Sequence, residues 1–384
     1  MTSSIIENIT LRTLFDNRIV LRDLTPKDTS LPGLRDLALK LGVDDGTLPR
    51  KNEFLYAMVL EEIVHAMTGG QVRNVCYIGD TIFTDGNVIR NLAQSGRFDV
   101  LGFICNESPG EEIGDFLFHD IIFSDRWSHV TRMVPVGRSR GFDFGPSTVA
   151  VFDLDQTIYA AKGRNNNPLR RARYQAVSEL LVEVLGRERV NDLVVSRRYG
   201  EFDQEKYHVV TGDNQDYVVF LAVACYMNLY EPEDILEELA KPHVTMLDII
   251  ASVLSRLEIR RGREDIDELC RMIGDVLVDA RVGDPTPFKK FRYKEFTKTS
   301  DAMIIPASVQ TDENPDYSER VYLTREMVEF IYFLKSRGCG VIAFSDRPIE
   351  ATEPMERGEK LSLLDIPMSI AGPSIERDLE SLDP

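Results

Sequence analysis

The chain has 384 residues, of which 43% are hydrophobic and 28% charged, and carries a formal net charge of −18. That length implies one large or two moderate domains, and the apolar content supplies a sizeable core and excludes a disordered chain. The acidic balance argues against an extended nucleic-acid or anionic-membrane surface, both of which need a basic face, but leaves room for a small basic pocket. Five cysteines (Cys76, Cys105, Cys225, Cys270, Cys339) lie scattered without a C-x-x-C pair, several in apolar runs, and read as buried reduced thiols. The five histidines show no metal-ligand spacing. Met1 to Phe15 lacks the apolar core of a signal peptide, and the longest apolar run, Val218 to Met227, is too short to span a bilayer. A cytoplasmic location is expected.

Along the chain, Arg18 to Leu24 suggests a strand and Leu34 to Leu41 a helix stopped by Gly42. Phe54, Leu55, Met58, Val59 and Ile63 recur at helical spacing until Gly69-Gly70. Val75 to Ile78 then reads as a buried strand running into Gly79-Asp80-Thr81-Ile82-Phe83-Thr84-Asp85-Gly86. A helix through Val88, Ile89, Leu92 and Ala93 follows, then strands at Phe98–Ile104 and His119–Phe123. Residues 125–147, polar and rich in Arg and Gly, read as a connection. Val149 to Asp153 is a short apolar run with two carboxylates, Asp153 and Asp155, at its carboxyl end, where open α/β sheets place their ligands. From Pro168 the pattern is helical through several segments, with Asp301 to Ser318 an irregular return linker. Arg325 to Arg337 makes a helix ended by Gly338, Val341 to Phe344 a strand ending in Ser345-Asp346-Arg347-Pro348, and Ile366 to Ile370 a last strand.

The apolar strand followed by Asp153-Leu154-Asp155-Gln156-Thr157 resembles motif I of the haloacid dehalogenase superfamily, whose members are mostly Mg²⁺-dependent phosphatases. G-D-x-x-x-x-D at Gly79 to Asp85 resembles its motif IV, Lys51 ahead of the preceding helix takes the place of its motif III lysine, and Ser345 that of the motif II hydroxyl. The resemblance covers about 50–105, 145–160 and 320–370. Its order here is III, IV, I, insertion, II, for which circular permutation is the simplest account and a fusion of two partial units the alternative. Gln156 departs from the family, which usually has Gly there. The resemblance implies a Rossmann-like α/β core with a mostly parallel sheet over 1–159 and 320–384, and a large helical cap over 160–319.

It further implies a nucleophilic Asp153 that forms an aspartyl-phosphate, Asp155 as general acid and base, and Ser345 and Lys51 offsetting phosphoryl charge. Mg²⁺ is expected on Asp153, Asp155 (through its backbone carbonyl) and Asp80, with Asp85 a direct or neighbouring partner. The expected activity is hydrolysis of a small phosphorylated metabolite. A phosphomutase, or a non-catalytic binding protein that kept the phosphate pocket, are the alternatives, and the oligomeric state stays open. Arg347 is expected to pair with a carboxylate. Two basic clusters, Arg170/Arg171/Arg173 and Lys289/Lys290/Arg292/Lys294, suit either a solvated helix face or a second anionic group on a substrate.

Overall fold

A computed structural model describes residues 9–44, 48–107, 116–241, 243–304, 317–356 and 359–382. Among these, seven strands form one sheet: β1 (Ile19–Val20), β2 (Asn74–Gly79), β3 (Asp99–Cys105), β4 (Phe116–Phe118), β5 (Ile121–Ser124), β6 (Thr148–Asp153) and β8 (Gly340–Phe344). β7 (Leu323–Thr324) lies outside it, paired in parallel with Ile370–Ala371. The order across the sheet is β1-β8-β6-β2-β3-β5-β4, and only the β4–β5 pair is antiparallel. Every residue of β2 and β6 is buried, as expected of central parallel strands covered on both faces. The fold is therefore α/β.

The helices that cover the sheet follow from spacing. In Phe54–Met67, residues Tyr56, Ala57, Val59, Leu60, Ile63 and Val64 form one buried stripe, and they join the cluster that includes Val75, Tyr77, Val149, Val151 and Phe344. Gly42 ends the helix Leu34–Leu41 in the left-handed region, which a residue without Cβ adopts at little cost.

Contacts divide the chain into two compact units. One comprises residues 1–169, 300–353 and 360–384; the other comprises 170–299 with 354–359. The division falls inside two helices, Asn167–Leu185 and Lys289–Met303, rather than at 159/160 and 319/320. The flanking segments stay with the sheet because Asn165 clamps them. Its amide donates to the carbonyls of Tyr317 (3.1 Å) and Arg320 (2.7 Å), and its oxygen accepts from Tyr322 N (2.9 Å). The second unit has its own core, in which Leu180, Tyr199, Phe220, Ile250, Leu269 and Ile273 are fully or almost fully buried.

Three expectations change. Residues 125–147 are not mere connection, since a 3₁₀ helix at Trp127–Arg132 runs into an α-helix at Met133–Ser139. Trp127, Val130, Met133, Val134 and Gly137 are buried at helical spacing between exposed arginines. Arg18 to Leu24 yields only the two-residue β1. The last strand sits at Ile370–Ala371, not Ile366–Ile370, because Leu363–Asp365 forms a 3₁₀ turn. Of the expected linker, residues 305–316 lie outside the described residues. All five cysteines are buried and none is in a disulfide. No described helix is long and apolar enough to cross a membrane.

Candidate metal and phosphoryl site

The three strands that carry the candidate residues are neighbours. β6 pairs with β2 on one side (Phe152 opposite Ile78) and with β8 on the other (Asp153 opposite Phe344). Their carboxyl ends therefore bring Asp153, Asp80 and Ser345 to one end of the sheet although they are remote in the chain. Asp85 is the first residue of the helix Asp85–Ser95 and folds back over the β2 end. A Cβ on Gly79 would collide with the Asp85 carboxyl, so the glycine at this turn is required by close approach.

Lys51 is the hub. Its Nζ lies 2.6 Å from Asp153 Oδ1 and 2.5 Å from Asp85 Oδ1, and all three side chains are almost fully buried. Burial works against the ammonium charge, but Asp153 and Asp85 outweigh it and hold Lys51 well above the usual lysine range. Asp85 is saturated: Oδ1 also accepts from Tyr77 Oη (3.0 Å), and Oδ2 accepts from the backbone N–H groups of Asp80 (3.0 Å) and Thr81 (2.9 Å). Burial keeps the Tyr77 phenol protonated, and so a donor. Asp85 thus pins the β2 turn, a role that leaves its oxygens little to offer a ligand.

Asp80 and Asp153 differ from it. Asp80 Oδ2 accepts from Thr81 Oγ1 (2.9 Å) and lies 3.1 Å from Lys162 Nζ. Asp80 Oδ1 and Asp153 Oδ2 accept no hydrogen bond from the described residues. Each of Asp80, Asp85 and Asp153 contributes one oxygen to a group within 4.8 Å of one another. Burial, and then the neighbouring acids, push the Asp153 carboxyl well above its ordinary value, with Lys51 pulling the other way. Burial likewise raises Asp80, against the pull of Lys162. Three acids face two lysines here. Hard carboxylate oxygens, two of them without a hydrogen-bond partner, in a cluster of three acids against two lysines could hold a metal ion.

The remaining expected residues are placed as follows. The Asp155 side chain is outside the acid group: Tyr159 donates to its Oδ1, and Arg347 Nη1 lies 3.2 Å from its Oδ2. Arg347 therefore pairs with a carboxylate, as expected. Ser345 is buried at the end of β8, and its Oγ accepts from Arg347 N (3.1 Å), which leaves the hydroxyl hydrogen as a donor. Gln156 holds a left-handed backbone (φ 62°) and accepts from Asn166 Nδ2 (3.2 Å) through its side chain. Sequence reasoning missed Lys162, Tyr77 and Thr81. Tyr77 stands two positions before the Gly79-Asp80 turn in a run that reads only as core, and a lone lysine before Gly163 carries no pattern.

Most members of the two basic clusters have acidic partners. Arg173 and Arg292 are buried and paired with Glu295 (3.1 and 2.7 Å), Arg170 pairs with Asp203, and Lys289 pairs with Asp279 and Asp284. Lys290 pairs with Glu268 and Lys294 with Glu183. No protein family, curated protein or solved structure matches the chain.

Proposed function

We propose that this protein is a Mg²⁺-dependent phosphatase of small phosphorylated metabolites, working through an aspartyl-phosphate on Asp153 as the haloacid dehalogenase resemblance implies. The observation that carries the reading is the pairing of buried Asp153 with buried Lys51 inside a group of three buried acids, Asp80, Asp85 and Asp153, each of which brings one carboxylate oxygen within 4.8 Å of the others. One oxygen of Asp153 and one of Asp80 accept no hydrogen bond from the described residues, which leaves them available to a cation.

Asp153 and Asp80 would hold the metal, with the Asp155 carbonyl completing the protein's share. When bound, the ion offsets negative charge on the phosphoryl oxygens. Lys51 keeps Asp153 oriented, favours its ionised form against the opposing effect of burial and Asp85, and adds positive charge where the phosphoryl group arrives. The Asp153 carboxylate attacks phosphorus, the bond from phosphorus to the leaving oxygen breaks, and Asp155 supplies that oxygen with a proton. Asp155 then takes a proton from water, whose oxygen displaces Asp153 and releases inorganic phosphate. Ser345 directs its hydroxyl hydrogen at a phosphoryl oxygen. For Asp155 to serve the leaving oxygen it exchanges the Arg347 contact for the substrate.

Phosphate release from a panel of sugar phosphates, nucleoside monophosphates and acyl phosphates, with and without Mg²⁺, tests this. Metal-dependent release that Asp153→Asn reduces by about 10³-fold or more is expected. No release from any compound in Mg²⁺, or release that survives Asp153→Asn, overturns the reading. An isomerised phosphate ester in place of free phosphate identifies a mutase.

A further inference from the structure

Lys162 belongs to none of the motifs, yet it is anchored to Asp80 by two contacts and to the neighbouring Thr81 by a third. Its Nζ lies 3.1 Å from Asp80 Oδ2, 3.1 Å from the Asp80 carbonyl and 3.3 Å from Thr81 Oγ1. The backbone that carries it is fixed on several sides. Lys162 N donates to Gln156 O (2.8 Å), while its carbonyl accepts from Trp127 Nε1 (3.2 Å) and Glu107 N (3.2 Å). Gly163, at φ 83°, lies so close to the Glu107 carbonyl that a Cβ there would overlap it. A surface lysine that met Asp80 by chance would show none of this support.

We propose that Lys162 is a built-in counter-cation of the metal site: its ammonium, seated on Asp80, opposes the divalent ion and sets how tightly the site holds it. The inference rests on the metal-dependent reading above and deepens it. With Oδ2 taken by Lys162 and Thr81, Asp80 has only Oδ1 to give, so it binds an ion through one oxygen rather than two. The lysine is also a fixed positive charge at the second atom of the same carboxylate, and like charges a few ångströms apart in a buried site repel strongly. Among the charged groups acting on the Asp80 carboxyl, Lys162 is the strongest. Without it the cluster would hold three acids against Lys51 alone and would retain a divalent ion more tightly than a turning-over site needs. Lys162 is thus a positioning residue acting through Asp80, distinct from Lys51, which faces Asp153 and Asp85.

The test is calorimetric titration of the metal-free full chain with MgCl₂, alongside thermal unfolding of the same samples. Lys162→Met is expected to tighten Mg²⁺ binding by at least about tenfold while lowering the metal-free melting temperature, because Asp80 has lost its partner. Lys162→Arg, which keeps the charge, should stay within about threefold of the parent chain. Lys162→Gln removes the charge, keeps a donor for Asp80, and should tighten binding as well; it serves where the Met variant does not fold. A purely structural role for Lys162 lowers both stability and affinity. Unchanged or weakened Mg²⁺ binding in the Met and Gln variants, with the parent binding Mg²⁺ and Asp153→Asn weakening it, overturns the counter-cation and leaves the metal site standing. Binding that appears only once Lys162 is neutralised supports it. No Mg²⁺ binding by the parent or any variant overturns both.

Discussion

Each unit buries a network of charges, and the two networks are built to different ends. In the helical unit, Arg292 donates through Nε (2.9 Å) and Nη2 (2.6 Å) to Asp216 Oδ2 and through Nη1 to Glu295 Oε2 (2.7 Å). Arg173 Nε takes Glu295 Oε1 (3.1 Å), and Asp216 Oδ1 accepts from Phe288 N (2.9 Å). Two cations meet two anions, and both oxygens of each acid are engaged. Burial disfavours the Arg292 charge, but Asp216 and Glu295 outweigh it and raise its pKa further. In the α/β unit, Asp80, Asp85 and Asp153 face Lys51 and Lys162, and two oxygens stay open. Balance and saturation tie helices together; imbalance and open oxygens make a place for something else to bind. Buried charge by itself therefore distinguishes nothing, and the useful quantity is what remains unpaired.

The comparison breaks most visibly at Asp216. Asp216→Asn leaves Arg292 buried with one acid fewer, and the helical unit should lose about 3–5 kcal/mol, read by urea unfolding with the Mg²⁺ affinity of the chain as the unaffected control. A smaller loss would mean that the network relaxes towards water. Asp153→Asn should do the opposite. It removes one of three crowded carboxylates, so the metal-free protein is expected to hold its stability or gain up to about 1 kcal/mol, while Mg²⁺ raises the melting temperature of the parent and not of the variant. A clear destabilisation without metal would place Asp153 with the structural acids.

The smallest effect belongs to a carboxylate outside both networks. Asp143 organises the turn into β6 by accepting from Gly145 N (3.1 Å), Ser147 Oγ (2.7 Å) and Thr148 Oγ1 (2.9 Å). Against a modest burial cost, these bonds hold its carboxyl below the usual aspartate range. A depressed folded-state value contributes stability above the unfolded pKa of about 3.9 and loses it as pH falls through the folded value. Asp143→Asn should therefore lower the melting temperature slightly near neutral pH, and the gap to the parent should close below about pH 4. A gap constant across that range would show that the turn does not need the charge.

Sequence reading succeeded where one pattern had one physical meaning. The apolar runs at β2, β6 and β8 could only be covered parallel strands, and acids or hydroxyls at their carboxyl ends could be found without coordinates. It failed where the partner decides. Arg173 and Arg292 looked like members of solvated basic faces, since a sequence shows a charge but not its remote partner: Glu295 lies 122 residues from Arg173, and Asp216 lies 76 residues from Arg292. The continuous helical stretch from Trp127 to Ser139 did have its signal in Trp127, Val130, Val134 and Gly137, but the arginines around it made the segment resemble a loop. Lys162 had no signal, because its place beside Asp80 is made by Trp127, Glu107 and Gly163.

The strand order has a consequence for how the protein is made. Lys51 and Asp153 are 102 residues apart, but Asp155 and Arg347 are 192 apart, with residues 170–299 of the helical unit between them in the chain. On the ribosome, β2, β3, β5 and β6 emerge early enough to pair and bring the acids together while β8 is still unsynthesised. β6 then carries an open hydrogen-bonding edge until the last tenth or so of the chain arrives, and pairings that close so long a loop are slow and exposed to wrong partners. Ser345 and Arg347 come directly after β8, the last strand of the large sheet to emerge, so the event that seals the sheet also delivers the hydroxyl at its end and the cation on Asp155. A chain interrupted before β8 would carry a charged cluster but not a finished site.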